Sequence, residues 1–314
     1  MPEGDTIFRA ARTLHRALAG HAVTRFETQY AQIARVHDDA PITGRTVERA
    51  EARGKHLLIH LSARPAPPGR EGTPAAVTGT PARALPADGP LVLRTHMLMS
   101  GSWHIYRAGE RWQRPPAAAR IVLGTDAFVA VGFDVPVAEF VLAADLDTDE
   151  ALSRLGPDVL APGFDEAEAI ARLAVSTRPT VAEALLDQRA VAGIGNVYKS
   201  ELLFLARLWP FTPPPQVEHD RWVRLVHDAR VLLRANVVDP AERGVTTYRG
   251  MRRTTGRSNP AQRLYVYGRY RQPCRRCGTP VEFRHHGEHN RSTYWCPSCQ
   301  PAAPPATPRG PRGP

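Results

Sequence analysis

Four cysteines in two close pairs constrain this chain more than any other feature: Cys274-x2-Cys277, then eighteen residues, then Cys296-x2-Cys299. Each pair spans one tight turn, and four thiolates complete the tetrahedral shell of a zinc ion. A closed shell leaves no coordination position for water or substrate. The expected cofactor is therefore one structural Zn2+ that holds a β-hairpin, Gly278 to Trp295, in shape. All four cysteines of the chain lie in this segment, which argues against a disulfide framework and for a reducing compartment.

Lys+Arg outnumber Asp+Glu by 41 to 31, giving a net charge of +10 and a pI near 10.0, which points to a polyanionic partner. The charge is local. From Arg243 to Arg291 there are twelve arginines and only two acids, Glu282 and Glu288. Such a patch favours phosphate binding. Only two lysines occur, Lys55 and Lys199, against 39 arginines, a bias typical of a GC-rich genome. No apolar run approaches membrane-spanning length, so no membrane partner is expected. The opening Met1-Pro2-Glu3-Gly4-Asp5 lacks the basic and apolar regions of a signal peptide, and the expected location is cytoplasmic.

Ile7, Ala10, Ala11, Leu14 and Leu18 recur at helical spacing, which predicts an amphipathic helix from Thr6 to Leu18, stopped by Gly20. Seven short segments rich in β-branched or apolar residues follow: Val23 to Thr28, Val47 to Ala52, His56 to Leu61, Leu91 to Thr95, Ser102 to Tyr106, Arg120 to Leu123 and Ala127 to Val131. They predict an antiparallel sandwich or barrel. Between Ser62 and Pro90 the Ala/Pro/Gly/Arg composition offers too little apolar surface to offset ordering entropy, so a disordered insertion is expected. After Asp145 the spacing turns helical over Asp149 to Leu155, Asp165 to Val175, Val181 to Leu185, Gly195 to Ala206 and His219 to Asn236. The expected fold class is α+β and multidomain. An N-terminal β-sandwich with flanking helices covers 1–145, a helical domain 146–260, the four-cysteine zinc finger 261–300, and a Pro/Ala/Arg tail without order 301–314.

Three further segments carry chemistry. Removal of Met1 would expose Pro2 as a secondary amine that titrates near pH 8 and can attack an aldehyde-level carbon such as C1′ of a deoxyribose. The product is an iminium with no N–H to lose, which stays cationic and acts as an electron sink. Glu3 is then a candidate acid/base, although a first-turn acid is also favoured by the helix dipole. In Ala192-Gly193-Ile194-Gly195-Asn196-Val197-Tyr198-Lys199-Ser200-Glu201 the glycines open a helix whose first N–H groups are available to an anion. Asn196 there either adds a donor to a phosphate or caps the helix. Lys55 stands at a turn feeding a strand, where it reaches a phosphate or sugar or is simply solvated. Arg291 on the cysteine hairpin is either a phosphate ligand or a surface arginine.

Taken together these residues resemble the formamidopyrimidine-DNA glycosylase / endonuclease VIII family. The carriers are Pro2-Glu3-Gly4, Arg53-Gly54-Lys55, Gly156-Pro157-Asp158-Val159-Leu160, Gly193 to Glu201, and the cysteine hairpin with Arg291. The resemblance spans nearly all of the chain apart from the insertion and tail. It implies a bifunctional DNA glycosylase/AP lyase whose helical domain is a helix-two-turn-helix unit. Pro2 is then the Schiff-base nucleophile, Glu3 the proton donor to the sugar, and Lys55 a hairpin residue that engages DNA and supports β,δ-elimination. Asn196 and Arg291 become phosphate clamps, and Met99, in His96-Met97-Leu98-Met99-Ser100-Gly101, a wedge that fills the gap left by a flipped base. A core methionine is the alternative for Met99. The implied partner is double-stranded DNA with oxidised bases or abasic sites, bound by a monomer in the bacterial cytoplasm at the nucleoid. Two features depart from the family: the Ser62 to Pro90 insertion, and an Arg249 to Asn259 stretch unlike a lesion-capping loop. Pro2 to Asp5, Trp103 and Tyr294-Trp295 look closer to the endonuclease VIII branch, which implies oxidised pyrimidines. A non-catalytic zinc-finger protein that holds damaged DNA, and a zinc-ribbon RNA binder, share the charge and the cysteines but have no need for Pro2.

Overall fold

A computed structural model describes residues 2–64, 88–237, 252–257 and 259–302 of the chain. Most of the predicted insertion, part of the Arg249 to Asn259 stretch and nearly all of the tail lie outside the described residues.

The first helix, α1 (Gly4–Leu18), forms as its apolar spacing predicts. Ile7, Ala10, Ala11, Leu14 and Leu18 are all buried, and Gly20, at φ +83°, turns the chain away after Leu18. Eight strands then make two antiparallel four-stranded sheets. One has the order β1 (Arg25–Thr28), β6 (Ala119–Gly124), β7 (Phe128–Phe133), β5 (Ser102–Arg107). The other runs β2 (Val47–Arg53), β3 (His56–Leu61), β4 (Leu91–His96), β8 (Val137–Leu142). Leu57, Ile59 and Leu93 from the second sheet meet Ile105, Ile121, Leu123 and Ala130 from the first, with Ile7 and Leu14 of α1 in the same core. The arrangement is a sandwich, and alternation along each strand sets which side chains face inward.

Strand β3 reads as a continuous apolar run because it is covered on both faces. Its outward Leu58 packs with Val92, Leu146 and Leu152, where the chain leaves the sandwich for the helices. The helical part comprises α3 (Glu150–Ser153), α4 (Glu166–Ala174), α5 (Val181–Ala184), α6 (Asn196–Leu205) and α7 (His219–Val237). Asp149, Asp165 and Thr180 accept N–H bonds at the starts of α3, α4 and α5, which locates each boundary. Ile170, Leu173, Tyr198, Leu202, Trp222, Leu225 and Leu233 fill the core between them. The cysteine segment forms a hairpin of β9 (Glu282–His286) and β10 (Arg291–Trp295), and Phe204 at the end of α6 is packed among Val266, Cys274, Val281 and Cys296.

Two elements escaped sequence reasoning. Helix α2 (Ala31–Asp39) buries only Ile33, too little apolar surface to show a period. Strand β8 follows Pro136 and pairs at the edge of its sheet, with Val137 exposed.

Leu61 and Leu91 face each other across β3 and β4, so residues 62–90 connect two paired strand ends. Loop-closure entropy grows only as the logarithm of length. Replacing residues 65–87 by two glycines is therefore expected to stabilise the protein by about 1 kcal/mol in urea unfolding; a loss of stability would show that the segment packs on the sandwich.

Candidate active site and nucleic-acid interface

The chain start is anchored on a different module from the one it begins. Glu3, the N-cap residue of α1, is fully buried, yet its carboxylate turns away from α1 toward the start of α6. Oε1 accepts the N–H of Val197 at 2.7 Å and Oε2 that of Tyr198 at 3.3 Å. The Gly4 N–H donates to the Gly193 carbonyl at 2.9 Å. Glycine is required at both contacts: a Cβ on Gly4 would lie 2.9 Å from Gly193 Cα, and one on Gly195 2.3 Å from Glu3 Cδ. The expectation that the helix start awaits a phosphate is thereby corrected. Two of its N–H groups are taken by the protein's own carboxylate, with the helix dipole favouring the charge. Pro2, one residue earlier, is half-buried beside this junction.

Arg252 closes the same corner. Its guanidinium binds Asp5 at 2.6 and 3.1 Å, lies 3.7 Å from Glu3, and stands over the Tyr198 ring at 4.8 Å. Burial alone would raise the pKa of Asp5, but the charge and hydrogen bonds of Arg252, with Arg9, hold it below the usual value. Burial works against the charged Arg252 as well, and Glu3 and Asp5 outweigh it, so the arginine's pKa is raised. Nothing in the sequence distinguishes Arg252 from its many arginine neighbours.

Lys55 sits at the β2–β3 turn, where Gly54 adopts φ +58°. Asp158 fixes this turn from the helical side: Oδ2 accepts the Gly54 N–H at 2.6 Å and Oδ1 the Leu160 N–H at 2.9 Å. Burial lowers the Lys55 pKa to about 8. The charge of Glu3 opposes the shift, and Arg291 and Arg252 add to it. Burial, followed by Lys55 and Arg94, likewise lowers His96 to about 4. A cavity of about 650 Å³ lined by Lys55, His56, Arg94 and His96 opens beside the turn, but neither Pro2 nor Glu3 lines it.

Asn196 is the first residue of α6, with Gly195 as the N-cap. Its Oδ1 accepts from Lys199 Nζ at 2.7 Å, and the Tyr267 side chain is hydrogen-bonded to it. Glu201 carries Tyr267 into place by accepting the N–H groups of Tyr265, Val266 and Tyr267 at 2.7 to 2.9 Å. Across the cleft, Arg291 Nη1 lies 3.5 Å from Met99 Sδ. Met99 is 59% exposed, while Met97 two residues earlier is buried in the sandwich, so the core methionine is Met97. Leu98, also exposed and at φ +43°, shares the loop tip and was not singled out by sequence reasoning.

The four cysteine sulfurs lie within 4.8 Å of one another, with separations of 3.5 Å for Cys277 to Cys296 and 3.9 Å for Cys274 to Cys299. Tetrahedral thiolates at about 2.3 Å from a zinc ion stand about 3.8 Å apart, so the cluster fits a metal ion.

The fold thus gathers Glu3, Lys55 and Asn196 around the start of α6 and brings Arg291 to Met99, with the cysteines behind the hairpin. The Formamidopyrimidine-DNA glycosylase N-terminal domain matches residues 1–135 and the Formamidopyrimidine-DNA glycosylase H2TH domain residues 155–247. The chain belongs to the formamidopyrimidine-DNA glycosylase / endonuclease VIII family. Its likeness falls on the endonuclease VIII side: it is 40% identical over 303 residues to "Probable endonuclease 8 2" of Streptomyces coelicolor, covering 96% of this chain and 94% of that protein. It is 35% identical to "DNA-(apurinic or apyrimidinic site) lyase Nei2" of Mycolicibacterium smegmatis, covering 96% and 100%. The formamidopyrimidine-DNA glycosylase of Lactococcus lactis, solved with abasic-site DNA, shares the fold at TM-score 0.71 and 19% identity, over 96% of this chain and 100% of that one.

Lys55 loses its proton near pH 8 in the folded protein and near pH 10.5 in the unfolded chain. Between these values the unfolded chain binds more protons, so stability gained through Lys55 rises with pH. Lys55→Gln is expected to flatten the rise of the urea midpoint between pH 8 and 10; an unchanged slope would place the lysine in solvent.

Proposed function

We propose that the protein is a bifunctional DNA glycosylase and AP lyase that removes oxidised bases, pyrimidines foremost, from double-stranded DNA and then cuts the strand. The observation that supports this reading is the seating of the Glu3 carboxylate, one residue after Pro2, on the first turn of α6 that begins with Asn196, where its charge also acts on Lys55. Names of relatives such as endonuclease 8 and DNA-(apurinic or apyrimidinic site) lyase support it. The pyrimidine preference is supported by identities of 33 to 40% to endonuclease 8 and Nei2 proteins, against 31% to the formamidopyrimidine-DNA glycosylase of Synechococcus.

With Met1 removed, the Pro2 nitrogen lone pair forms a bond to C1′ as the bond to the damaged base breaks and the base departs. Glu3, a carboxylate at rest, takes up the proton that the attacking nitrogen sheds and delivers it to the sugar oxygen as the ring opens, leaving a cationic iminium. Loss of a C2′ proton pushes electrons toward this iminium and expels the 3′ phosphate. A second proton loss, from C4′, expels the 5′ phosphate, and water then releases the sugar remnant and restores the amine. Lys55, with a pKa of about 8, exists partly as free base near neutral pH and serves as a hairpin group at the sugar and phosphate. Asn196 and Arg291 hold backbone phosphates, and Met99 fills the gap left by the extruded nucleotide. The four thiolates hold one Zn2+, which supplies no chemistry and keeps β9 and β10 in register so that Arg291 reaches the cleft. The reading takes the protein to act as a monomer at the nucleoid of the bacterial cytoplasm.

Borohydride trapping on abasic DNA is expected to yield a covalent adduct with the processed protein and at least tenfold less with Pro2→Gly or a form retaining Met1. If the processed protein forms no adduct, the non-catalytic binding reading replaces this one. Arg291→Ala is expected to weaken binding across sequences and to lower the salt slope by about 1; altered lesion choice at constant slope would contradict the phosphate role.

A further inference from the structure

Lys199 takes no part in the steps above, yet it is among the most enclosed polar groups of the fold. It lies three residues into α6 and is 1% exposed, in a chain that uses lysine twice and arginine 39 times. An ammonium carries three donors, and three oxygens take them: Asn196 Oδ1 at 2.7 Å, the Ser292 carbonyl at 2.9 Å and Thr293 Oγ1 at 2.8 Å. Burial lowers its pKa to about 7, against the stabilising charge of Glu3; Arg291 lowers it further and Glu183 opposes. A planar guanidinium cannot converge its donors on three oxygens set around one point, which accounts for lysine here in an arginine-rich chain.

The contact sets the sense of the Asn196 carboxamide. Lys199 Nζ donates to Oδ1, so the Nδ2 of Asn196 points the other way. The Tyr267 side chain is hydrogen-bonded to this carboxamide, whose nitrogen carries two N–H groups. The same ammonium grips Ser292, the residue after Arg291 on β10. One buried cation thus sets the orientation of a donor on α6 and anchors the strand that carries a second donor.

We propose that Lys199 is a positioning residue for DNA binding, which turns the Asn196 amide N–H toward the phosphate backbone. The inference rests on reading Asn196 as a phosphate ligand.

A double-mutant cycle on the full chain tests it, with a duplex carrying a tetrahydrofuran abasic analogue as the probe. Asn196→Ala and Lys199→Met are each expected to weaken binding about tenfold, and the double variant to bind no worse than about tenfold below wild type. Single-turnover cleavage of abasic DNA at saturating enzyme is expected to stay within about twofold for Lys199→Met, a split that general loss of structure would not produce. If Asn196→Ala binds like wild type, the phosphate reading of Asn196 falls and the inference with it. If Asn196→Ala weakens binding while Lys199→Met does not, or if the two losses multiply, the inference alone is overturned. Should Lys199→Met not fold, Lys199→Gln, which keeps one donor toward Oδ1, replaces it in the cycle with a loss of about threefold, again absent on the Asn196→Ala background. The wild-type protein supplies a further check, because the chain has only four asparagines. With 15N-labelled asparagine, the Asn196 side-chain amide signals must shift on saturation with the duplex, and signals that stay in place would overturn the inference.

Discussion

The seating of one carboxylate on one helix start organises this protein. Glu3 belongs by sequence to α1 and the sandwich, but its hydrogen bonds go to α6 in the helical part. A fully buried carboxylate is costly unless its lone pairs are met, and here two backbone N–H groups, the α6 dipole and the nearby Arg252 guanidinium meet them. The interaction therefore does two things with one group. It ties the first turn of α1 to the first turn of α6, and it does so through the residue that follows Pro2. The glycines at 4 and 195 follow from the same contact, since each lets backbone or carboxylate approach where a side chain would collide, and Gly193 supplies the turn at φ +101°.

Other buried polar groups repeat the pattern at the remaining junctions. Asp158 ties the Gly54 turn to the helical part, Glu201 ties α6 to the segment that leads into the cysteine hairpin, and Lys199 ties α6 to β10. Each is satisfied by several partners, which keeps its burial from becoming a liability. Apolar packing defines the modules, while these polar junctions define the angles between them, and a nucleic-acid cleft formed from two modules depends on those angles.

Much of this was legible in the residues. The period of α1, the strands at His56 to Leu61 and Leu91, the cysteine spacing and the helix opened by Gly195 are local patterns, and they form where those patterns put them. Helix α2 and strand β8 were hidden because each leans on a neighbour and not on its own periodicity. The destination of the Glu3 carboxylate was likewise hidden: sequence shows an acid near a helix start but not that the helix it serves begins nearly two hundred residues later. Arg252 carried no local signal in a segment crowded with arginine, and Lys199 read as an ordinary helical residue. Long-range polar contacts have no period, and only the folded chain reveals them.

The scarcity of lysine has a consequence for traffic across the surface. An abasic strand carries a masked aldehyde, and any accessible primary amine it brushes against can trap it as a stray imine, whereas guanidinium groups do not react this way at neutral pH. Here one lysine is sealed inside the fold and the other stands half-buried at the hairpin turn. Lys55 is thus the only lysine side chain that a strand at the surface can meet.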